Sequence, residues 1–279
     1  MTVVLVLVSA FFHALWNALL RVEPDKDRGL VAAIAFASLF ACVIAGIRWQ
    51  LGQTPFETLE SVWWTLLAGA FEAVYFATLA RALEIGPLGA VYTISRGGAV
   101  LVVWPMSIWL FHEVVTATSA SGSALVLLGL VLCGVGARGV AGTGDRRGVW
   151  WAAACAASVA GYHLSYKAAL LTGAGSSATF AVSLSLSALI SIVRVDRTGL
   201  GALLRVRWHR IALMGIVCGG SFLILMEALA MGGSGYVLTL RNTSVLFAAL
   251  LAYFIGEKPA HAELVGAALV AAGAVLMAW

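Results

Sequence analysis

The chain has 279 residues, of which 62% are hydrophobic and 11% charged, with a mean hydropathy of +0.99. Soluble domains carry about 25% charged residues, and a globular fold of this length could not build a polar surface from so few. That excludes a soluble protein and leaves a polytopic membrane protein, in which 17 Lys and Arg against 13 Asp and Glu report orientation and not nucleic-acid binding.

A bilayer core of about 30 Å takes roughly 20 helical residues. Apolar runs between charged or turn-rich breaks predict ten spans, an all-α membrane protein. Span 1 covers 1–20 and carries His13, Trp16 and Asn17; no small-x-small cleavage site follows, so it reads as a mature span and not a signal peptide. The polar stretch RVEPDKDRG (21–29) leads into span 2 at 29–49. Span 3, at 61–84, holds Glu72, Tyr75, Phe76, Arg81 and Glu84. The turn IGP (85–87) opens span 4 at 87–111, with Tyr92, Arg96 and Pro105, and span 5 follows at 118–138. After ARGVAGTGDRRG (137–148) come span 6 at 148–171, with His163, Tyr166 and Lys167, and span 7 at 175–194. The polar RVDRTGLGALLRVRWHR (194–210) separates these from span 8 at 208–231, with Phe222 and Glu227. The turn MGGSG (231–235) leads to span 9 at 234–256, with Tyr236 and Arg241, and span 10 closes at 260–279. Cys42, Cys133, Cys155 and Cys218 lie in apolar runs without metal-like spacing and read as buried small hydrophobes. No metal site or cofactor is expected.

The chain repeats itself. Glu113, Gly122, Ala124, Leu125, Val126, Gly129, Val131 and Leu132 recur as Glu257, Gly266, Ala268, Leu269, Val270, Gly273, Val275 and Leu276. RALEIG (81–86) matches EALAMG (227–232), and HALWNA (13–18) matches HLSYKA (163–168). Two units of five spans result, 1–138 and 139–279. Five is odd, so the second unit must start on the opposite side of the membrane, and the repeats are inverted. Inverted repeats build secondary transporters with a midplane site between the halves.

Two copies of AL-x-x-G, a span ending in Glu, and G-x-A-L-V-x-x-G run from Ala82 to Gly129 and from Ala228 to Gly273. In this pattern the whole chain resembles the EamA-type ten-helix carriers of the drug/metabolite transporter superfamily. The resemblance implies a transporter, with export the favoured direction, and leaves the substrate open. Members of that family are usually drawn with both termini in the cytoplasm, and here the charge count points the other way. Loops after odd-numbered spans hold Arg21, Lys26, Arg28, Arg138, Arg146, Arg147, Arg194, Arg197, Arg205, Arg207, Arg210 and Lys258; loops after even-numbered spans hold Arg48. The positive-inside rule then makes the odd loops cytoplasmic and places both termini outside an inner (plasma) membrane.

Within the spans lie Arg81, Arg96, Lys167 and Arg241 against Glu72, Glu84 and Glu227, besides His13 and His163. A charge at a helix centre costs roughly 2.5–3.5 kcal/mol and needs a partner or a wet cavity. Arg81 and Glu84, three apart at a span end, can pair and snorkel. Arg96 sits about ten residues into span 4, roughly 15 Å deep, with Arg241 as its repeat counterpart one position shifted. Both are expected to reach the central cavity; the alternative is a structural pair with Glu72 or Glu227. A guanidinium fork suits carboxylate or phosphate.

Trp16, Tyr75, Phe76, Tyr92, Tyr166, Phe222 and Tyr236 supply an apolar wall around His13, Asn17, His163 and Lys167. Trp63, Trp64, Trp150, Trp151 and Trp279 at span ends read as an interfacial belt. Gly97, Gly98 and Pro105 are expected to loosen span 4. Gly122/Gly129 and Gly266/Gly273 read as packing faces within the chain, which favours a monomer over a homodimer.

The expected function is secondary-active transport of a small carboxylate-bearing metabolite, such as an amino acid with an aromatic or apolar side chain, by alternating access. The candidate proton-coupling groups are Glu72 and Glu227, with His13 and His163 beside them, and facilitated exchange without coupling is the alternative. The alternatives are an organophosphate or phosphonate carrier and, in a different class, an intramembrane lipid-modifying enzyme. Against the enzyme stands the absence of HExxH, GxSxG or a paired-aspartate metal motif.

Overall fold

A lipid-embedded backbone finds no water, so long apolar runs must close their hydrogen bonds within themselves, as helices do. The computed structural model describes residues 1–85, 88–141, 146–196, 198–254 and 261–278. Among these the chain forms eleven helices: α1 (Thr2–Arg21), α2 (Lys26–Gln50), α3 (Leu59–Ile85), α4 (Leu88–Phe111), α5 (Ala117–Ala141), α6 (Arg146–Leu171), α7 (Ser176–Arg194), α8 (Leu200–Met231), α9 (Ser234–Arg241), α10 (Ser244–Phe254) and α11 (His261–Ala278). Seven of them, α1 to α5, α7 and α8, are long and apolar enough over their described residues to cross a membrane. Leu39, Leu101, Trp109, Leu189 and Val193 stand more than half exposed on the outer surface, where lipid would cover them. The belt tryptophans Trp63, Trp150 and Trp151 are exposed near helix starts; Trp279 lies outside the described residues.

Two boundaries differ from the sequence reading. The predicted ninth span is not one helix. It breaks into α9 and α10, because Asn242 and Thr243 close tight turns to Thr239 and Leu240, both at 3.0 Å, in place of the helical ladder. The eighth begins earlier, at Leu200, capped by Gly199 at φ +83°. The stretch read as a polar break is its first turns, and Arg207 and Arg210 project from them onto the buried Glu23 carboxylate, at 3.1 and 3.0 Å. Cys42 is a third correction: it is exposed, with Sγ 3.5 Å from the Ser185 hydroxyl.

Packing partners come in matched sets. α1 lies on α8 as α6 lies on α3; α2 lies on α8 as α7 lies on α3; α4 lies on α6 as α9 and α10 lie on α1; α5 pairs with α11, and α2 with α7. Exchanging α1–α5 for α6–α11 leaves that list unchanged. The α5–α11 contact runs backbone on backbone. A Cβ on Gly122 would come 2.7 Å from the Gly273 carbonyl oxygen, and one on Gly129 would come 2.5 Å from that of Gly266. The order reverses along the pair, so α5 and α11 are antiparallel. These glycines are consumed within the chain. Helix α4 continues through Gly97, Gly98 and Pro105, and Gly98 serves close approach, its Cβ position 3.0 Å from the Ala156 methyl of α6.

Candidate substrate-binding site

At the centre of the helices lies His13 of α1, fully buried. Its Nδ1 faces two donors, Trp16 Nε1 at 3.1 Å and Arg241 Nη2 at 3.1 Å. Its Nε2 faces Arg96 Nη2. The arginines come from α4 and from the last residue of α9, so three elements meet at one imidazole. A neutral imidazole accepts at one nitrogen and an imidazolium at neither, while indole and guanidinium only donate. Donors thus face both nitrogens of a ring that can serve only one side.

Aromatic rings line the adjoining volume. The Arg241 guanidinium carbon lies 4.2 Å from the Phe222 ring centroid, a cation–π contact. Phe222 stacks on Phe180 at 5.3 Å between centroids. Tyr162 stands 5.6 Å from both Tyr75 and Tyr166, and Tyr75 stands 4.9 Å from Phe76. Beyond them the Tyr166 hydroxyl meets the Ser183 hydroxyl at 3.0 Å. Glu72, buried, lies next to this pair, yet neither of its oxygens closes a hydrogen bond of normal geometry among the described residues.

Sequence reasoning named His13, Trp16, Glu72, Tyr75, Phe76, Arg96, Tyr166, Phe222 and Arg241, and the fold brings these together. It missed Tyr162, Phe180, Ser183 and the residues of the helix break. At that break Arg241, Asn242 and Ser244 are buried, and Arg241 Nε and Nη1, both Asn242 amide atoms and the Ser244 hydroxyl lack a hydrogen-bond partner among the described residues.

Other named residues are engaged elsewhere. Asn17 donates to the His13 carbonyl of its own helix at 2.6 Å. Lys167 donates to the carbonyls of Leu229 and Gly232, at 3.0 and 2.8 Å. His163 meets the Ser234 carbonyl at 3.1 Å through Nε2. Tyr236 is half-buried at the edge of the core, and Tyr92 lies in α4 with its side chain outside the described ones. Glu227, read from sequence as a central carboxylate and a possible partner of Arg96, instead points outward to Arg48 and to the Ser176 hydroxyl at 2.5 Å. Nor does Glu72 hydrogen-bond Arg96. Arg81 and Glu84 do pair, exposed, at 2.9 Å.

Residues 146–279 match the model of the EamA-like transporter family. The match lies in the second half of the chain and places it with the drug/metabolite transporter superfamily. With the seven long apolar helices, that match supports a multi-pass membrane protein of the transporter type. No curated protein matches the sequence. Among solved structures, one described only as the crystal structure of a protein matches this chain with a TM-score of 0.75 at 19% identity, covering 99% of it and 95% of the other chain. At that identity the likeness speaks for the fold alone.

Proposed function

We propose that this transporter carries a small solute with a single carboxylate, such as an amino acid with an aromatic or apolar side chain, outward across the inner membrane by alternating access. The observation that carries the reading is the meeting of Arg96 and Arg241 on His13, with more donors than the ring can satisfy. A carboxylate brings four lone pairs to such a place and suits the guanidinium fork. The charge balance points the same way. Arg81 is held by Glu84, Glu227 by Arg48, and Lys167 by backbone carbonyls. Arg241 remains at the centre, salt-bridged to no carboxylate among the described residues, and the carboxylate of the solute would face it. The aromatic rings suit an apolar body attached to it.

Glu72 is the proposed proton-coupling group, because it is buried beside Tyr166 and Ser183 and within electrostatic reach of Arg241. Alternating access would rock repeats 1–138 and 139–279 about an axis in the membrane plane. The matched packing sets and the antiparallel α5 and α11 support that relation. Because the glycine faces are spent inside the chain, a monomer suffices. The second reading, an organophosphate or phosphonate, draws on the same two forks but brings a second negative charge to a centre that also holds the buried Glu72.

Thermal shift of the purified protein separates the readings. L-phenylalanine, L-tryptophan and benzoate are expected to raise Tm, since ligand at a hundred times Kd stabilises by about 2.7 kcal/mol. Methylphosphonate and phenylphosphonate are expected to leave it unchanged. A shift with phosphonates alone would replace the first reading by the second.

Orientation has its own test. Arg48, the one base on the even-loop face, is neutralised by Glu227, so the net positive charge of the loops sits on the odd face. Both termini are therefore proposed to be external, and a C-terminal reporter that fluoresces only in the cytoplasm should stay dark. A bright fusion would reverse the assignment.

A further inference from the structure

Helix α9 has two turns, ends at Arg241, and is fastened by side chains from other elements. Glu113, at the α4–α5 corner, accepts from the backbone N–H of Ser234 at 2.6 Å and of Gly235 at 3.3 Å. Trp104 of α4 donates Nε1 to the Thr239 hydroxyl at 2.9 Å. On the other side of the turn, Lys167 holds the last carbonyls of α8 and His163 meets that of Ser234. A helix end leaves about four N–H or C=O groups without partners, and here two such ends meet in a turn whose Ser234 and Gly235 are buried. A carboxylate at the start of one helix and an ammonium at the end of the other match both dipoles. The glycines fit the clamp: a Cβ on Gly233 would lie 2.7 Å from Glu113 Oε2, and one on Gly235 would lie 2.6 Å from the Trp104 ring.

We infer that Glu113 is a positioning residue for transport: it sets α9, and through α9 the Arg241 guanidinium, in register with His13. Eight residues at 1.5 Å each put Arg241 roughly 12 Å from the clamp along a stiff rod, so release at the turn shifts the guanidinium at the far end. The effect on substrate rests on Arg241 being an anion site, as proposed above; the effect on α9 does not.

The test uses the full chain in nanodiscs, with Cys42, Cys133, Cys155 and Cys218 replaced by alanine and Ser234→Cys as reporter. Glu113→Gln keeps size and one acceptor but sets an NH2 group against an N–H of α9. Maleimide labelling of the reporter is expected to rise about tenfold, and Kd for L-phenylalanine about tenfold, the worth of a charge-assisted hydrogen bond. Glu113→Asp should fall between wild type and Glu113→Gln, and it substitutes for that variant should Glu113→Gln fail to fold. Unchanged labelling overturns the inference, as does a lower Tm with labelling and Kd unaltered, which is a merely structural role. Faster labelling with Kd unaltered breaks the link to Arg241 and also overturns it. If neither L-phenylalanine nor benzoate binds the wild type, the carboxylate reading fails, and labelling alone decides the clamp.

Discussion

Arg241→Ala is expected to remove measurable uptake of L-phenylalanine into proteoliposomes while the protein still inserts and folds. The described contacts of Arg241 are His13 and the Phe222 ring, with no carboxylate salt-bridged to it. Truncation therefore strands no ion-pair partner, and it removes a charge whose burial costs several kcal/mol. Stability should hold or rise. Binding loses a charged group aimed at the substrate, typically about 2–5 kcal/mol for a buried interaction of this kind, or roughly thirtyfold to several thousandfold in Kd. Arg241→Lys should recover little, since an ammonium keeps the charge without the fork or the flat stacking on Phe222. The measurement is Kd by calorimetry alongside Tm, each on monodisperse protein. A collapse of Tm with Kd intact in the folded fraction would make Arg241 scaffold and remove the anion argument.

The sequence carried the helices and their number within one, because lipid demands long apolar runs and those are countable. It did not show the break after Arg241. Hydropathy averages over a span, and LRNTSVLF is apolar enough at both ends to hide its middle. A signal was there: Asn242, Thr243 and Ser244 in succession are residues whose short polar side chains compete for backbone hydrogen bonds and favour turns. Three together after an arginine in a membrane span mark a discontinuity of the kind that lines transport sites.

Glu227 shows a second limit. It lies four residues before the end of α8 at Met231, and position along a helix does not fix the direction of a side chain. In a soluble helix the polar face names the outside. A membrane helix is apolar all round, so nothing in α8 says which side meets the centre; only packing against α1 and α2 turns Phe222 inward and Glu227 towards Arg48. The early start of α8 was hidden for the opposite reason, since its arginines read as loop charge until Glu23 is seen buried against two of them.

The largest loss of stability is expected from Gly129→Val, at the contact between α5 and α11. Its Cβ would sit 2.5 Å from the Gly266 carbonyl oxygen, 2.8 Å from Val270 Cγ2 and 2.9 Å from the Val270 backbone nitrogen. Two of these three atoms are backbone, so no rotamer change relieves the clash and α5 must move off α11. Overpacking of a core costs about 1–3 kcal/mol where side chains can yield; here the contact is between main chains, and the loss should lie at or above the top of that range. Gly220→Ala is the control, in the interior of α8 with nothing within 4 Å of its added carbon, and it should be neutral or stabilise by up to about 1 kcal/mol through helix propensity. Denaturation of the purified protein in detergent compares the two. Because membrane helices gain nothing from burying apolar surface against one another, close backbone approach is the main thing holding α5 to α11. A Gly129→Val protein as stable as wild type would show that the pair is held by something other than that approach.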